Sequence, residues 1–126
     1  IILQNSYETS KNVLRFFYTF TKIFEKIIMG IKKQFLKSKP VCKVTFTVPA
    51  KEAKKIVVVG SFNEWNQETS PLKKLKNGSF KGTVNLETGN SYEFRYLVDG
   101  AYVNELEADH FAWNDFAGAE NSVLSI

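Results

Sequence analysis

Trp65 is the residue whose type and setting most clearly suggest chemistry. It ends the run 57–65, in which three valines lead to Gly60 and the chain continues through polar Asn63 and Glu64. A large aromatic side chain beside polar groups can anchor a core or form a flat platform for a ligand. Since tryptophans in small β domains are usually buried, Trp65 alone favours the core. Its position in a polar loop favours a binding role, so both interpretations stay open at this point.

Three further residues could join Trp65 in a site. Arg95 alternates with the apolar residues of the segment 92–98, so it should face away from the core, where its planar fork of donors suits vicinal hydroxyls or carboxylates. Tyr102 is a second candidate aromatic, and Asn121 could donate and accept hydrogen bonds at once. Each has a simpler structural interpretation: an arginine paired with an acid, a tyrosine at a strand edge, and an asparagine in a turn.

The sequence does not predict catalysis. Glu105, Glu107 and Asp109 fall close together, which indicates a solvated acidic loop, whereas glycosidases place paired acids on opposing walls of a cleft. His110 is the only histidine and has no serine or cysteine motif to work with, and the chain has no phosphate-binding or dinucleotide glycine pattern. Cys42 is the only cysteine, which excludes an intrachain disulfide and a zinc cluster. We therefore expect no enzyme, no metal and no cofactor.

Composition and charge predict one domain with a separate N-terminal segment. The 126 residues, 44% of them hydrophobic, suffice for one compact core. Residues 1–40 carry eight Lys/Arg against two acids, a net +6, and residues 41–126 carry nine against eleven, a net −2. The domain itself thus has no charge reason to bind nucleic acid. A single thiol fits a reducing compartment, which favours the cytoplasm.

The N-terminal segment has the periodicity of a basic amphipathic helix. Apolar residues recur at three- and four-residue steps over 12–31, interrupted by charges that make a poor transmembrane span. Such a helix could lie on a membrane surface, although packing on its own domain or on a partner is favoured. Residues 1–40 are therefore assigned to a helix and linker. Met29, the only methionine, resembles a natural start, which favours the interpretation that residues 1–28 lie outside the natural protein.

From residue 41 the periodicity changes to two, which is typical of half-buried strands. Asn77-Gly78 and Asp99-Gly100 have the composition of tight hairpin turns, and Trp113 lies in an irregular stretch where we expect a lid over the core. The predicted strands are 41–48, 56–59, 72–75, 80–86, 92–98, 101–104 and 122–126. Short strands separated by frequent turns predict an all-β, immunoglobulin-like β-sandwich over residues 41–126.

Several motifs in this order resemble the carbohydrate-binding modules of family 48. They are Val-Val-Val-Gly-Ser-Phe-Asn-Glu-Trp at 57–65, Pro-Leu-Lys-Lys at 71–74, Gly-Ser-Phe at 78–80, Tyr-Glu-Phe-Arg-Tyr-Leu-Val-Asp-Gly at 92–100 and Asn-Ser-Val-Leu at 121–124. These modules are early-set sandwiches found beside the barrels of isoamylases and glycogen branching enzymes and in the β subunit of AMP-activated kinase. The resemblance covers residues 41–126, and the segment 29–40 is similar to the opening of short bacterial proteins that consist of this module alone.

The resemblance implies a role for each candidate residue. In glycogen-binding members two aromatics stack on glucose rings while a basic residue and an asparagine bind the hydroxyls. By motif position, Trp65 matches the first aromatic, Arg95 the basic residue and Asn121 the asparagine, and Tyr102 stands where a second tryptophan is usual. The implied function is non-catalytic α-glucan binding, with a glucan-metabolising enzyme as a possible partner; the alternative is a protein-interaction or scaffold sandwich.

Overall fold

The computed structural model describes residues 30–126, which form nine β-strands and one short 3₁₀ turn, Ser61–Asn63. The strands are β1 (Gly30–Phe35), β2 (Val41–Val48), β3 (Ile56–Gly60), β4 (Lys73–Lys74), β5 (Phe80–Glu87), β6 (Ser91–Val98), β7 (Ala101–Val103), β8 (His110–Asn114) and β9 (Ala119–Ser125). The first sheet has the order β1-β2-β5-β4, and the second has the order β3-β6-β9-β8, with β7 also paired to β6. All pairings are antiparallel, so the predicted all-β, immunoglobulin-like sandwich is confirmed.

The core lies between the sheets and follows the alternation of the sequence. In β2 the side chains of Cys42, Val44 and Phe46 are fully buried, and the residues between them face outward. Phe46 packs against two aromatics of β6, with ring centroids 5.3 Å from Phe94 and 6.2 Å from Tyr96. Full burial of a phenylalanine contributes roughly 2–3 kcal/mol, so this aromatic cluster is a principal source of stability.

Two strands lie where the sequence predicted none. β1 consists of the last two residues of the predicted helix, Gly30 and Ile31, and the first four residues of the predicted linker. These six residues form a strand because they pair with β2. Its pattern was hidden because Lys33, on the core-facing side, is polar and makes an ion pair of 2.7 Å with Asp109. The rest of the predicted helix, and the question whether residues 1–28 belong to the natural protein, lie outside the described residues.

β8 is the second unpredicted strand, and it corrects the prediction for Trp113. This strand lies at the edge of its sheet and is largely exposed, so it lacks the apolar alternation that marks a half-buried strand. Trp113 is 63% exposed, and its indole Nε1 donates a hydrogen bond of 2.7 Å to Asp115. It is therefore not a lid over the core. Within residues 30–126, no helix has the length and apolar character that crossing a membrane requires.

Candidate functional site

All four candidate residues line one open groove on the outer face of the second sheet. The groove has a volume of about 600 Å³, within the range of small-ligand sites. The strand register explains the arrangement, because Leu97 of β6 lies opposite Tyr102 of β7 and Phe94 lies opposite Ser122 of β9. Continuing that register by one residue brings Arg95 beside Asn121. The complete lining is Trp65, Arg95, Tyr102, Asn114, Phe116, Ala117 and Asn121.

Trp65 reaches this groove because the chain turns sharply after β3. A side chain at Gly60 would come within 2.5 Å of the Glu93 carbonyl oxygen, so only glycine fits at the end of that strand. Asn63 then fixes the turn: its Oδ1 accepts from the Gly60 amide at 3.0 Å, and its Nδ2 donates to the Val58 carbonyl at 3.0 Å. Trp65 has a left-handed φ of 57° and closes the turn by donating its amide to the Gly60 carbonyl at 2.9 Å.

The same turn separates a core aromatic from an exposed one. Phe62 stacks on Phe46 with centroids 6.3 Å apart and also meets the Tyr92 ring edge-on, so it anchors the loop in the core. Trp65, three residues later, is 37% exposed. Phe62 is therefore the core anchor of this loop, whereas Trp65 presents part of its surface to solvent.

Arg95 and Tyr102 form one preorganised unit. The Arg95 guanidinium lies 5.9 Å from the centroid of the Tyr102 ring, and its Nη2 donates to the Glu120 carbonyl at 2.8 Å. A cation over an aromatic face is attracted by the ring quadrupole, which restrains both side chains. Tyr102 is 51% exposed, and its hydroxyl accepts a hydrogen bond of 3.1 Å from Gln67. Gln67 lies two residues after Trp65 in the chain, and no sequence pattern predicted this contact.

Asn121 lies within β9 and not in a turn. It is only 2% exposed, and its Nδ2 donates to the Glu93 carboxylate at 3.2 Å. Its Oδ1 is buried without a hydrogen-bond partner among residues 30–126, as is the Nε atom of Arg95. An unpaired buried polar atom costs about 1–3 kcal/mol, so a hydrogen-bonding partner at either of these two atoms would be stabilising.

The hairpin between β8 and β9 adds residues that the sequence analysis missed. Asn114 accepts hydrogen bonds through its Oδ1 from the amides of Phe116 and Ala117, at 3.0 and 3.2 Å, and Gly118 closes the turn with a φ of 64°. This geometry leaves the side chain of Phe116 fully exposed at the groove. A phenylalanine in a short turn between Asp115 and Gly118 was the sequence feature that could have indicated a surface role.

The acidic residues of 105–109 do not belong to this groove, and the prediction of a solvated acidic loop is wrong for Glu105, whereas Glu107 and Asp109 are exposed. Glu105 is buried, which raises the pKa of its carboxyl above the ordinary value, and it lies beside the Tyr96 hydroxyl. Asp109 binds Lys33 and the Ser125 amide. Among residues 30–126 the groove lining consists of three aromatic side chains, an arginine, two asparagines and an alanine, and it includes neither a carboxylate nor a histidine.

An immunoglobulin-like sandwich with an aromatic groove on one outer sheet face defines a domain built for ligand recognition. Its family agrees with that class: the model described as the glycogen recognition site of AMP-activated protein kinase matches residues 42–126, and the chain belongs to this family. No curated protein matches the chain. The matched region begins inside β2, so β1 precedes it.

Proposed function

We propose that this domain is a non-catalytic binding module for α-glucans of the glycogen and starch type. Trp65 and Tyr102 stack on glucose rings, while Arg95 and Asn121 hydrogen-bond their hydroxyls. The single observation that carries the proposal is the convergence of these four residues, distant in sequence, on one groove. Membership of a glycogen-recognition family supports a carbohydrate-binding role.

The chemistry of a glucose ring matches the groove. The ring has apolar C–H faces and a polar rim, so it requires a flat aromatic surface and a few directed donors or acceptors. Trp65 and Tyr102 supply the surfaces, at 37% and 51% exposure. The restraint of Tyr102 by Arg95 and Gln67 reduces the side-chain entropy that binding would otherwise lose.

The expected affinity is modest. Each aromatic contact contributes about 1 kcal/mol beyond the area it buries, and hydrogen bonds to solvent-accessible hydroxyls add little net free energy. For a short oligosaccharide we expect a dissociation constant on the order of 0.1–1 mM. A long glucan, which offers many overlapping sites, binds more tightly through repeated engagement.

A second candidate function is a protein-interaction module, and the exposure of Trp113 on the edge strand β8 favours it. Exposed aromatics are frequent at protein interfaces, and an edge strand offers unpaired backbone groups to an added strand. A partner of the glucan-binding module could be a glucan-metabolising enzyme. The two functions use different tryptophans, which makes them separable.

Co-sedimentation with glycogen and with amylose tests the proposal. We expect the wild type to pellet with glucan and Trp65→Ala to remain in the supernatant. Trp113→Ala is the matched control, since it removes an exposed tryptophan outside the groove and should pellet like the wild type. The proposal fails if the folded wild type does not pellet, or if Trp65→Ala pellets equally. Loss of binding only in Trp113→Ala would transfer the glucan site to β8.

A further inference from the structure

The outer face of the first sheet, opposite the groove, concentrates positive charge. Because side chains alternate between the two faces of a strand, β1, β2, β4 and β5 bring together residues from distant parts of the chain. Three neighbouring rows of the register contain only hydrogen-bonding or cationic side chains apart from Gly30. We call these residues the lysine–threonine face: Lys32, Gln34, Lys43, Thr45, Thr47, Lys73, Lys81, Thr83 and Asn85.

Seven residues of this face surround a depression of about 250 Å³. They are Lys32, Gln34, Lys43, Thr45, Thr47, Lys81 and Thr83. The register places Thr45 between Lys32 and Thr83, and the hydroxyl oxygens of the two threonines are 3.4 Å apart. Lys43 and Lys81 occupy the rows of the register on either side of this threonine pair. Every lining side chain carries a hydrogen-bond donor, and none carries a negative charge.

The charges of this face have no internal partner among residues 30–126. The salt bridge formed within these described residues joins Lys33 to Asp109. Lys33 lies on the core-facing side of β1, away from this face. Lys73 stands directly opposite Lys81, and like charges at directly opposed positions destabilise a sheet. A bound anion would offset this repulsion.

We propose that the lysine–threonine face binds a phosphoryl group, either free or as a sugar phosphate ester. A phosphoryl group near neutral pH carries a charge between −1.5 and −2 and presents only acceptor oxygens, which match the ammonium and hydroxyl donors around the depression. The proposal goes beyond glucan binding, because the face lies on the opposite sheet from Trp65. The net charge of −2 over residues 41–126 concealed it, since ten of the eleven acids lie outside the strands of this sheet; the exception, Glu87, occupies the next row of the register, beside the face.

Titration of the full-length protein at pH 7.5, followed by backbone amide chemical shifts, tests the proposal. The probes are inorganic phosphate and glucose 6-phosphate at constant ionic strength, with sodium chloride and glucose as blanks. We expect saturable shifts centred on Thr45 and Thr83, with a dissociation constant on the order of 1 mM. The double variant Lys43→Gln/Lys81→Gln should bind about tenfold more weakly, and the matched control Lys55→Gln, at the start of the other sheet, should bind like the wild type.

The outcomes separate this site from the glucan groove. Saturable binding that survives Trp65→Ala and is weakened about tenfold or more in the double lysine variant supports the proposal, whatever the result for glucan. Shifts by glucose 6-phosphate alone that disappear in Trp65→Ala would place the ester in the groove and overturn it. Equal weakening by Lys55→Gln, or shifts reproduced by sodium chloride, would show unspecific charge screening and also overturn it.

Discussion

Enlarging the smaller aromatic surface of the groove should strengthen glucan binding. Tyr102 is 51% exposed on the three-residue strand β7, so an indole at this position extends over the groove without entering the core. Tyr102→Trp has two opposing effects. It removes the hydrogen bond of 3.1 Å with Gln67, and it enlarges the flat surface beside the Arg95 guanidinium.

The magnitudes of the two effects can be separated with Tyr102→Phe, which loses only the hydroxyl. An exposed neutral hydrogen bond is worth about 0.5 kcal/mol, so Tyr102→Phe should bind about twofold more weakly than the wild type. An indole buries on the order of 40 Å² more apolar surface than a phenyl ring, which is worth about 1 kcal/mol at 25 cal/mol/Å². Tyr102→Trp should therefore bind about fivefold more tightly than Tyr102→Phe and about twofold more tightly than the wild type.

Isothermal titration calorimetry with a linear maltooligosaccharide of seven glucose units measures these differences directly. Tyr102→Ala supplies the lower limit, and Trp113→Ala controls for the loss of an aromatic outside the groove. Two results would refute the reasoning: Tyr102→Ala binding as well as the wild type, or Tyr102→Trp binding no better than Tyr102→Phe while thermal unfolding shows all variants folded. Either would mean that residue 102 does not contact the sugar.

Two further predictions concern stability. Burial raises the folded-state pKa of Glu105 above 4.5, its ordinary value. The folded state therefore binds a proton more tightly than the unfolded state, and the free energy of unfolding should fall as the pH rises from about 4.5 through the raised pKa. Urea unfolding between pH 4.5 and 8 should show this decline in the wild type and a flatter profile in Glu105→Gln; identical slopes would contradict the assignment. Deleting residues 1–28 should leave the free energy of unfolding unchanged. Deleting residues 1–40 removes β1, and with it the packing of Ile31 on the core and the Lys33–Asp109 ion pair. This longer deletion should lower the free energy of unfolding by about 3 kcal/mol or more. Equal stability of the two truncated proteins would show that β1 contributes nothing, and aggregation of the shorter deletion would show that residues 1–28 are needed.

Strands were predictable from the sequence where the order of their own apolar and polar residues reflects which side chains are buried. β2 and β6 alternate apolar and polar residues because one face of each packs on the core, and β3 is a continuous apolar run because all of it is buried. The Asp99-Gly100 turn was equally predictable, since positive φ values of 47° and 90° suit these two residue types. Asp99 also fixes the turn by accepting from the backbone amides of Lys54 and Lys55, which lowers the pKa of its carboxyl.

Strands and buried residues that depend on pairing between segments far apart in the sequence were not predictable. The role of β1 as a strand is determined by β2 and by Asp109, which no local pattern reveals. β8 is an exposed edge whose residues do not alternate. Glu105 lies beside the Tyr96 hydroxyl of β6, a neighbour that no local sequence pattern reveals. For the groove, the outward direction of Arg95 followed from alternation, but the contribution of Phe116 required the geometry of the last hairpin. The roles of Trp65, Arg95, Tyr102 and Asn121 in binding stay predictions.

The packing of Phe62 on Phe46 has a consequence for how the loop of Trp65 opens. Because Phe62 of this loop packs on Phe46 in the core, the loop cannot open without exposing a core aromatic side chain to water. Its amide protons, including those that Gly60 and Trp65 commit to the turn, should exchange with solvent mainly through unfolding of the whole domain, not through local opening. A ligand bound at Trp65 would therefore slow hydrogen exchange throughout both sheets, including amides far from the groove.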